Sequence, residues 1–232
     1  MQAILHWDLE GVLALNQFVG INETFDSIML DIARNHLLRG GLIMGLLWWC
    51  WTSSDGKIRF FAVRALLGAL IAIGLGRGMQ NLMPERPRPL QHPGLDVVVA
   101  NGLDSSTLAG WSSFPSDTTI LFFALSTAIF SANRMLGLFA YAWSLFMVCL
   151  PRIYFGYHYP SDILAGIVIG IAIMLFALRV PVRERLPRLF ETTQRAWPKA
   201  VSAGIFLLAF ETASLFEGAR HMLRDLAKLA IG

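Results

Sequence analysis

The stretch Pro151-Arg-Ile-Tyr-Phe-Gly-Tyr-His-Tyr-Pro-Ser-Asp162 holds three residues, Arg152, His158 and Asp162, whose types and spacing suit phosphoryl chemistry. An imidazole can attack phosphorus and carry the phosphoryl group as a covalent intermediate. A guanidinium neutralises phosphoryl oxygens, and a carboxylate four residues on can hold the imidazole tautomer and stabilise its developing charge. Pro160 suits the first position of a helix. Asp162 then falls in that helix's first turn, and His158 lies in the loop over its N-terminus, where anions are favoured.

Two other segments offer phosphate-binding groups. Pro84-Glu-Arg-Pro-Arg-Pro89 ends a long apolar run, and its prolines stiffen the loop. Arg86 and Arg88 can clamp phosphate with forked donors; taken alone they read more readily as interfacial anchors. Phe114-Pro-Ser-Asp-Thr118 opens another apolar run, with Ser116 and Asp117 placed for the first turn of a helix. Its free backbone N–H groups can cradle phosphate oxygens, or the segment is an ordinary cap.

The elements that must position these residues are membrane helices. Of 232 residues, 55% are apolar and 15% charged, far below the quarter or so usual in soluble domains. Six runs approach the roughly 20 residues that a span needs: Leu37 to Ser53, Phe60 to Met83, Phe114 to Ser131, Met135 to Pro151, Pro160 to Leu178 and Ala196 to Phe216. Arg64 and Arg77 sit near the ends of the second and are expected to snorkel. The expected fold is an all-α, multi-pass membrane bundle of about six spans. Residues Ala3 to Val19 read as an N-terminal amphipathic helix, either in the interface or packed against the bundle.

Basic residues set the orientation. Lys57 and Arg59, then Arg134, then Arg179, Arg183, Arg185, Arg188, Arg195 and Lys199 fall on alternate links. The positive-inside rule makes that side cytoplasmic, which puts all three motif segments on the periplasmic or exterior face of the plasma (inner) membrane. The tail after Glu217 sets Met222, Leu223, Leu226 and Leu229 against Arg220, Arg224 and Lys228, as a further amphipathic helix. Glu211 lies inside the sixth run, where it can snorkel or pair with Arg220. Cys50 and Cys149 differ in expected depth and suit neither a disulfide nor a metal site. No nucleotide-binding fingerprint or nucleic-acid stripe is present.

On these motifs the chain resembles the type 2 phosphatidic acid phosphatase superfamily, and within it the bacitracin-resistance type of undecaprenyl-diphosphate phosphatase. The family's third motif is Ser-Arg, five residues, His, three residues, Asp; Arg152, His158 and Asp162 match it, with Pro151 replacing the serine. Its first motif is a lysine, six residues, then Arg-Pro; Arg88 and Pro89 match, with Asn81 at the lysine position and Arg77 one turn earlier. Its second is Pro-Ser-Gly/Asp-His; Pro115, Ser116 and Asp117 match, and Thr118 replaces the histidine. The resemblance covers residues 1–180, as a lipid-phosphatase-like membrane domain. Residues 181–232 are a basic link, an extra span and a tail beyond it.

The resemblance implies cofactor- and metal-independent phosphoryl transfer. His158 would be the nucleophile and Asp162 its orienter, with Arg88, Arg152, Arg86 and Ser116 binding phosphate. Asp117, Thr118, Asn81, Arg77 and His92 are further candidates. Thr118 cannot supply the proton that the family histidine gives the leaving group, since a neutral hydroxyl is a very weak acid. That deficit matters least for a diphosphate, whose leaving group is already good, so a polyprenyl diphosphate in the bilayer is the leading substrate. Transfer to a sugar or lipid acceptor is an alternative; so is a catalytically degenerate lipid-binding or accessory protein with an unidentified membrane-protein partner.

Overall fold

The computed structural model describes residues 2–52, 56–104, 106, 108–181, 185–219, 222 and 226. Ser53, Arg183, and Arg220, Leu223, Arg224, Lys228 and Leu229 of the expected tail lie outside the described residues. The regular elements among the described residues are all helical. In chain order they are α1 (Gln2–Asn16), α2 (Glu23–Arg34), α3 (Leu42–Trp51), α4 (Gly56–Leu82), α5 (Asp117–Ala132), α6 (Arg134–Trp143), α7 (Leu150–Tyr154), α8 (Pro160–Arg179), α9 (Arg185–Ala196) and α10 (Pro198–Ala213). A π-helical turn, Leu37–Gly41, leads into α3, and another, Ser144–Cys149, joins α6 to α7.

Three stretches are long and apolar enough to cross a membrane: Ile58–Leu82, Arg134–Tyr154 and Pro160–Arg179. Leu37–Trp51 and Asp117–Ala132 are apolar but shorter. Among the described residues the expectation of about six spans is met in part, by three of full length. The shortfall at α5 has a physical reason. Its 16 residues rise only about 24 Å, against about 30 Å of hydrocarbon. Every residue from Thr118 to Ile129 is buried, with α4, α6 and α8 packed around the helix, so α5 is the bundle's core. Outward faces carry Leu67, Ile71 and Leu75 on α4 and Leu164 and Val168 on α8, all exposed and spaced one helical turn apart. Such a surface belongs to a membrane protein.

Close packing of α8 on α5 depends on Gly166 and Gly170, which are one turn apart. A Cβ on Gly166 would lie 2.8 Å from Thr119 Cβ and 3.0 Å from the Ser116 carbonyl; one on Gly170 would strike the Ile120 carbonyl oxygen. Small residues at this spacing let helix backbones meet. At the far end of the bundle Arg64 reaches the C-terminus of α8. Its Nη2 donates to the carbonyls of Ala177, Leu178 and Val180 at 2.7, 3.0 and 2.8 Å, capping α8 with a cation.

The N-terminal helix is packed rather than merely adsorbed. Asp8, Val12 and Asn16, at intervals of four, are all buried, and α1 lies against α7 and α8. Asn16 donates from Nδ2 to the carbonyls of Val98 and Tyr154, and its Oδ1 accepts from Val98 N at 2.7 Å. Trp7, Leu13 and Phe18 stay exposed. The amphipathic helix α2 was not anticipated; Asn22 caps it by accepting from Phe25 N. The basic link contains α9, whose Phe190 sits edge-on to Trp51 at 5.9 Å between ring centres. Cys50 and Cys149 are both free.

Candidate active site

The C-terminal end of α4, the N-termini of α5 and α8, and the end of α7 meet at one end of the bundle. Gln80 Nε2 donates to the Pro115 carbonyl at 2.8 Å, and Ser116 N donates to the Asp162 carbonyl at 3.3 Å. The turn between α7 and α8 reverses at Gly156, whose φ of 67° is a left-handed value that glycine adopts freely. Its carbonyl accepts from Leu90 N at 2.9 Å, and a Cβ there would lie 3.0 Å from Val97 Cγ1. The Arg152 carbonyl accepts from Tyr157 N and His158 N, folding the chain back so that His158 faces the loop before α5.

His158 is 1% exposed. Its Nδ1 lies 2.8 Å from the Ser113 carbonyl. A carbonyl only accepts, so Nδ1 carries the proton and Nε2 is unprotonated, an acceptor for Arg88. Nε2 faces Arg88 Nη1 at 3.2 Å. Burial, followed by the Arg88 charge, pushes the imidazole pKa down to about 4, so the ring is neutral near pH 7. Asp162 Oδ2 stands 3.6 Å from Nδ1, beyond a good hydrogen bond. The tautomer is thus held by a backbone carbonyl, while the expected orienter, Asp162, contributes a charge nearby.

Asp162 has other partners. Its Oδ2 accepts from Tyr159 N at 2.8 Å, closing the first turn of α8, and its Oδ1 accepts from Arg86 Nη1 at 2.7 Å. Arg86 also donates to Ser161 Oγ at 2.9 Å and to Asp8 Oδ2 at 2.6 Å, and it stacks on the Tyr159 ring. Arg86, an expected phosphate ligand, is thus directed at two carboxylates and Ser161 in this structure. Asp8 also accepts from Ser161 N and Ser161 Oγ. Arg88 is buried, with donors directed at the carbonyls of Tyr157, Trp111 and Ser112.

His158 opens on a cavity of about 570 Å³ that Arg34, Arg39, Arg77, Arg88 and Arg152 line, with Asp117, Thr118 and Glu217. The two first-motif candidates separate: Arg77 lines the cavity and pairs with Asp117 at 3.4 Å, whereas Asn81 does not line it and is exposed. His92 does not line it either; its Nδ1 accepts from Gly94 N. Ser116 is fully buried as the cap of α5, and its Oγ accepts from Thr119 N. Thr118 N donates to Asp117 Oδ1 at 2.7 Å. At this helix start the N–H groups of Thr118 and Thr119 are therefore taken by the segment's own side chains, Asp117 and Ser116. Arg34, Arg39 and Glu217 were missed. An arginine inside an apolar run, such as Arg39, is the available signal, because charges at membrane depth are usually functional. Glu211, by contrast, has a buried Oε2 without a partner.

A histidine poised above a guanidinium-lined cavity, on the third-motif spacing, agrees with comparison to known proteins. The PAP2 superfamily matches residues 61–186. This chain belongs to that superfamily. Two relatives bear the same protein name. Similarity to "Bacitracin transport permease protein BcrC" of Bacillus licheniformis is 31% identity over 128 residues, 54% of this chain but only 58% of that protein's length. "Undecaprenyl-diphosphatase BcrC" of Bacillus subtilis (strain 168) is 27% identical over 157 residues, covering 66% of this chain and 72% of that one. The crystal structure of Aquifex aeolicus LpxE shares the fold, with a TM-score of 0.53 at 22% identity over 74% of this chain and 94% of that chain. His158, Arg152, Arg88, Asp117 and Thr118 fall inside the PAP2 match; Asp8, Arg39 and Glu217 fall outside it.

Proposed function

We propose that this PAP2 protein is a lipid phosphatase that hydrolyses a lipid-linked phosphate through a phosphohistidine, with a polyprenyl diphosphate as the preferred substrate. One observation carries the reading: the His158 Nδ1 proton is committed to the Ser113 carbonyl, leaving Nε2 unprotonated beside a guanidinium-lined cavity. Nε2 attacks the terminal phosphorus. The N–P bond forms as the bridging P–O bond breaks, and the lipid monophosphate leaves. Water then attacks the phosphohistidine, orthophosphate departs, and Nε2 regains its lone pair. Arg88 and Arg152 stabilise the transferring oxygens, and the Asp162 charge stabilises the phosphorylated ring. The alternating basic links support a site that faces the periplasm or exterior. Thr118 supports the diphosphate preference, because general acid catalysis is worth roughly 10²- to 10⁴-fold and is needed least when a phosphate leaves.

The test is phosphate release from purified protein given polyprenyl diphosphate, polyprenyl monophosphate and phosphatidic acid, with a trap for phosphohistidine. The expected result is steep preference for the diphosphate and a labelled protein. His158→Ala should abolish both release and label while the fold persists. Equal activity in wild type and His158→Ala would overturn the assignment of the nucleophile.

A further inference from the structure

We infer that Arg39 forms a second anion subsite in the cavity, which holds the non-transferred phosphate of a lipid diphosphate during attack by His158. This rests on the proposed transfer at His158 and names residues that read the substrate. The first observation is charge. Five guanidinium groups line the cavity against the carboxylates of Asp117 and Glu217. One phosphate carries only about −1.5 to −2 charge near neutral pH. The second observation is unmet hydrogen bonding. The buried Nε atoms of Arg39, Arg77 and Arg152 have no partner. A buried donor without an acceptor is costly, and three in one cavity call for an anion with several oxygens.

Arg39 is the one of these three that the motifs do not explain. It is 8% exposed and rises from the π-helical turn Leu37–Gly41, a type of distortion frequent at functional sites. That turn is held in place. Trp143 Nε1 donates to the Leu38 carbonyl at 2.9 Å, and Gly40 packs so closely on Ala213 that a Cβ would lie 3.0 Å from Ala213 Cβ. Arg39 Nη2 donates to His36 Nδ1 at 2.8 Å, which leaves the His36 Nε2 proton for Glu217 at 3.1 Å. His36 and Glu217 thus brace Arg39 from two ends of the chain. Arg88 and His158 enter the cavity lining from the loops around the motifs, whereas Arg39, Leu215 and Glu217 enter it from segments outside the PAP2 match. Arg152 lies within electrostatic reach of both His158 and Arg39. In phosphoryl transfer the attacking and leaving atoms are roughly in line. With a phosphoryl group on Arg88 and Arg152, the proposed subsite receives the leaving phosphate at Arg39, which neighbours Arg152.

The test compares a prenyl diphosphate and a prenyl monophosphate of equal chain length, using purified full-length protein. Arg39→Gln should lower the ratio of their kcat/KM values by about tenfold or more, the worth of charge-assisted donors. Arg39→Lys, which keeps the charge without the fork, should lower it less. In wild type, inorganic pyrophosphate should raise the melting temperature at lower concentration than orthophosphate, and Arg39→Gln should erase that difference. A ratio unchanged in both variants, or pyrophosphate and orthophosphate stabilising wild type alike, overturns the subsite. If Arg39→Gln fails to fold, Arg39→Lys and the wild-type melts decide. A wild type that hydrolyses neither substrate and forms no phosphohistidine refutes the proposed transfer instead, and the melting comparison still judges the subsite.

Discussion

At the scale of single residues, the unusual group is a buried neutral histidine. Its pKa is lowered from 6.5 to about 4, mainly by burial and then by Arg88. In the unfolded chain the ring takes up its proton near pH 6.5, but in the folded chain only near pH 4. Between these values the unfolded state binds more protons, so stability falls as pH drops through that window. Melts from pH 7 down to 4.5 should show this slope, and His158→Gln should flatten it. The same shift should place the acid limb of kcat/KM near pH 4, below the usual histidine range, because a neutral Nε2 must attack. Thr118 sets the other residue-scale expectation. It lines the cavity beside Asp117, at the second-motif position that carries a histidine in the family pattern. Thr118→His should raise the monophosphate rate most, by up to about 10²-fold, and the diphosphate rate less. Steady-state rates on paired substrates measure this.

At the scale of elements, the site depends on how closely α8 approaches α5, since α5 brings Asp117 and Thr118 and α8 brings Asp162. Gly170→Ala pushes a methyl group into the Ile120 carbonyl and should cost about 1–3 kcal/mol of stability. Gly74, also in a helix, has nothing within 4 Å of a would-be Cβ, so Gly74→Ala should be neutral or slightly stabilising. Thermal unfolding in one detergent compares the two. Much at this scale was legible in the sequence. The helix start at Pro160 with Asp162 in its first turn followed from local chemistry, and so did the long apolar stretches in α4 and α8. The role of α5 as an enclosed core did not, because apolar composition cannot tell a lipid-facing helix from a protein-facing one. Nor did the tautomer, because a backbone carbonyl such as that of Ser113 has no signature of its own.

At the scale of the whole molecule, the site is closed by segments outside the PAP2 match, and this was the least legible part. Asp8 belongs to none of the three motifs; only tertiary contact with Arg86 and Ser161 gives it a role. Asp8→Ala should therefore destabilise the protein by roughly 3 kcal/mol, the low end for breaking a buried ion pair, because Arg86 keeps Asp162. Glu10→Gln should do nothing measurable, since its contact with His6 is exposed. Chemical or thermal unfolding of the pair checks the contrast, and activity should fall with Asp8→Ala alone.

The Asp8, Arg86 and Asp162 ladder and the contact of His36 with Glu217 also bear on biogenesis. Synthesis delivers Asp8 first, Asp162 long after it and Glu217 nearly last. Asp8 cannot find Ser161 until the intervening helices have been inserted, and Arg39 lacks its brace until the chain beyond α10 has brought Glu217 to His36. A partly translated chain thus exposes a histidine and loose arginines to the bilayer without an assembled cavity. Assembly of the cavity is therefore expected to wait on insertion of the helices that lie between Asp8 and Glu217, and not merely on synthesis of the motifs.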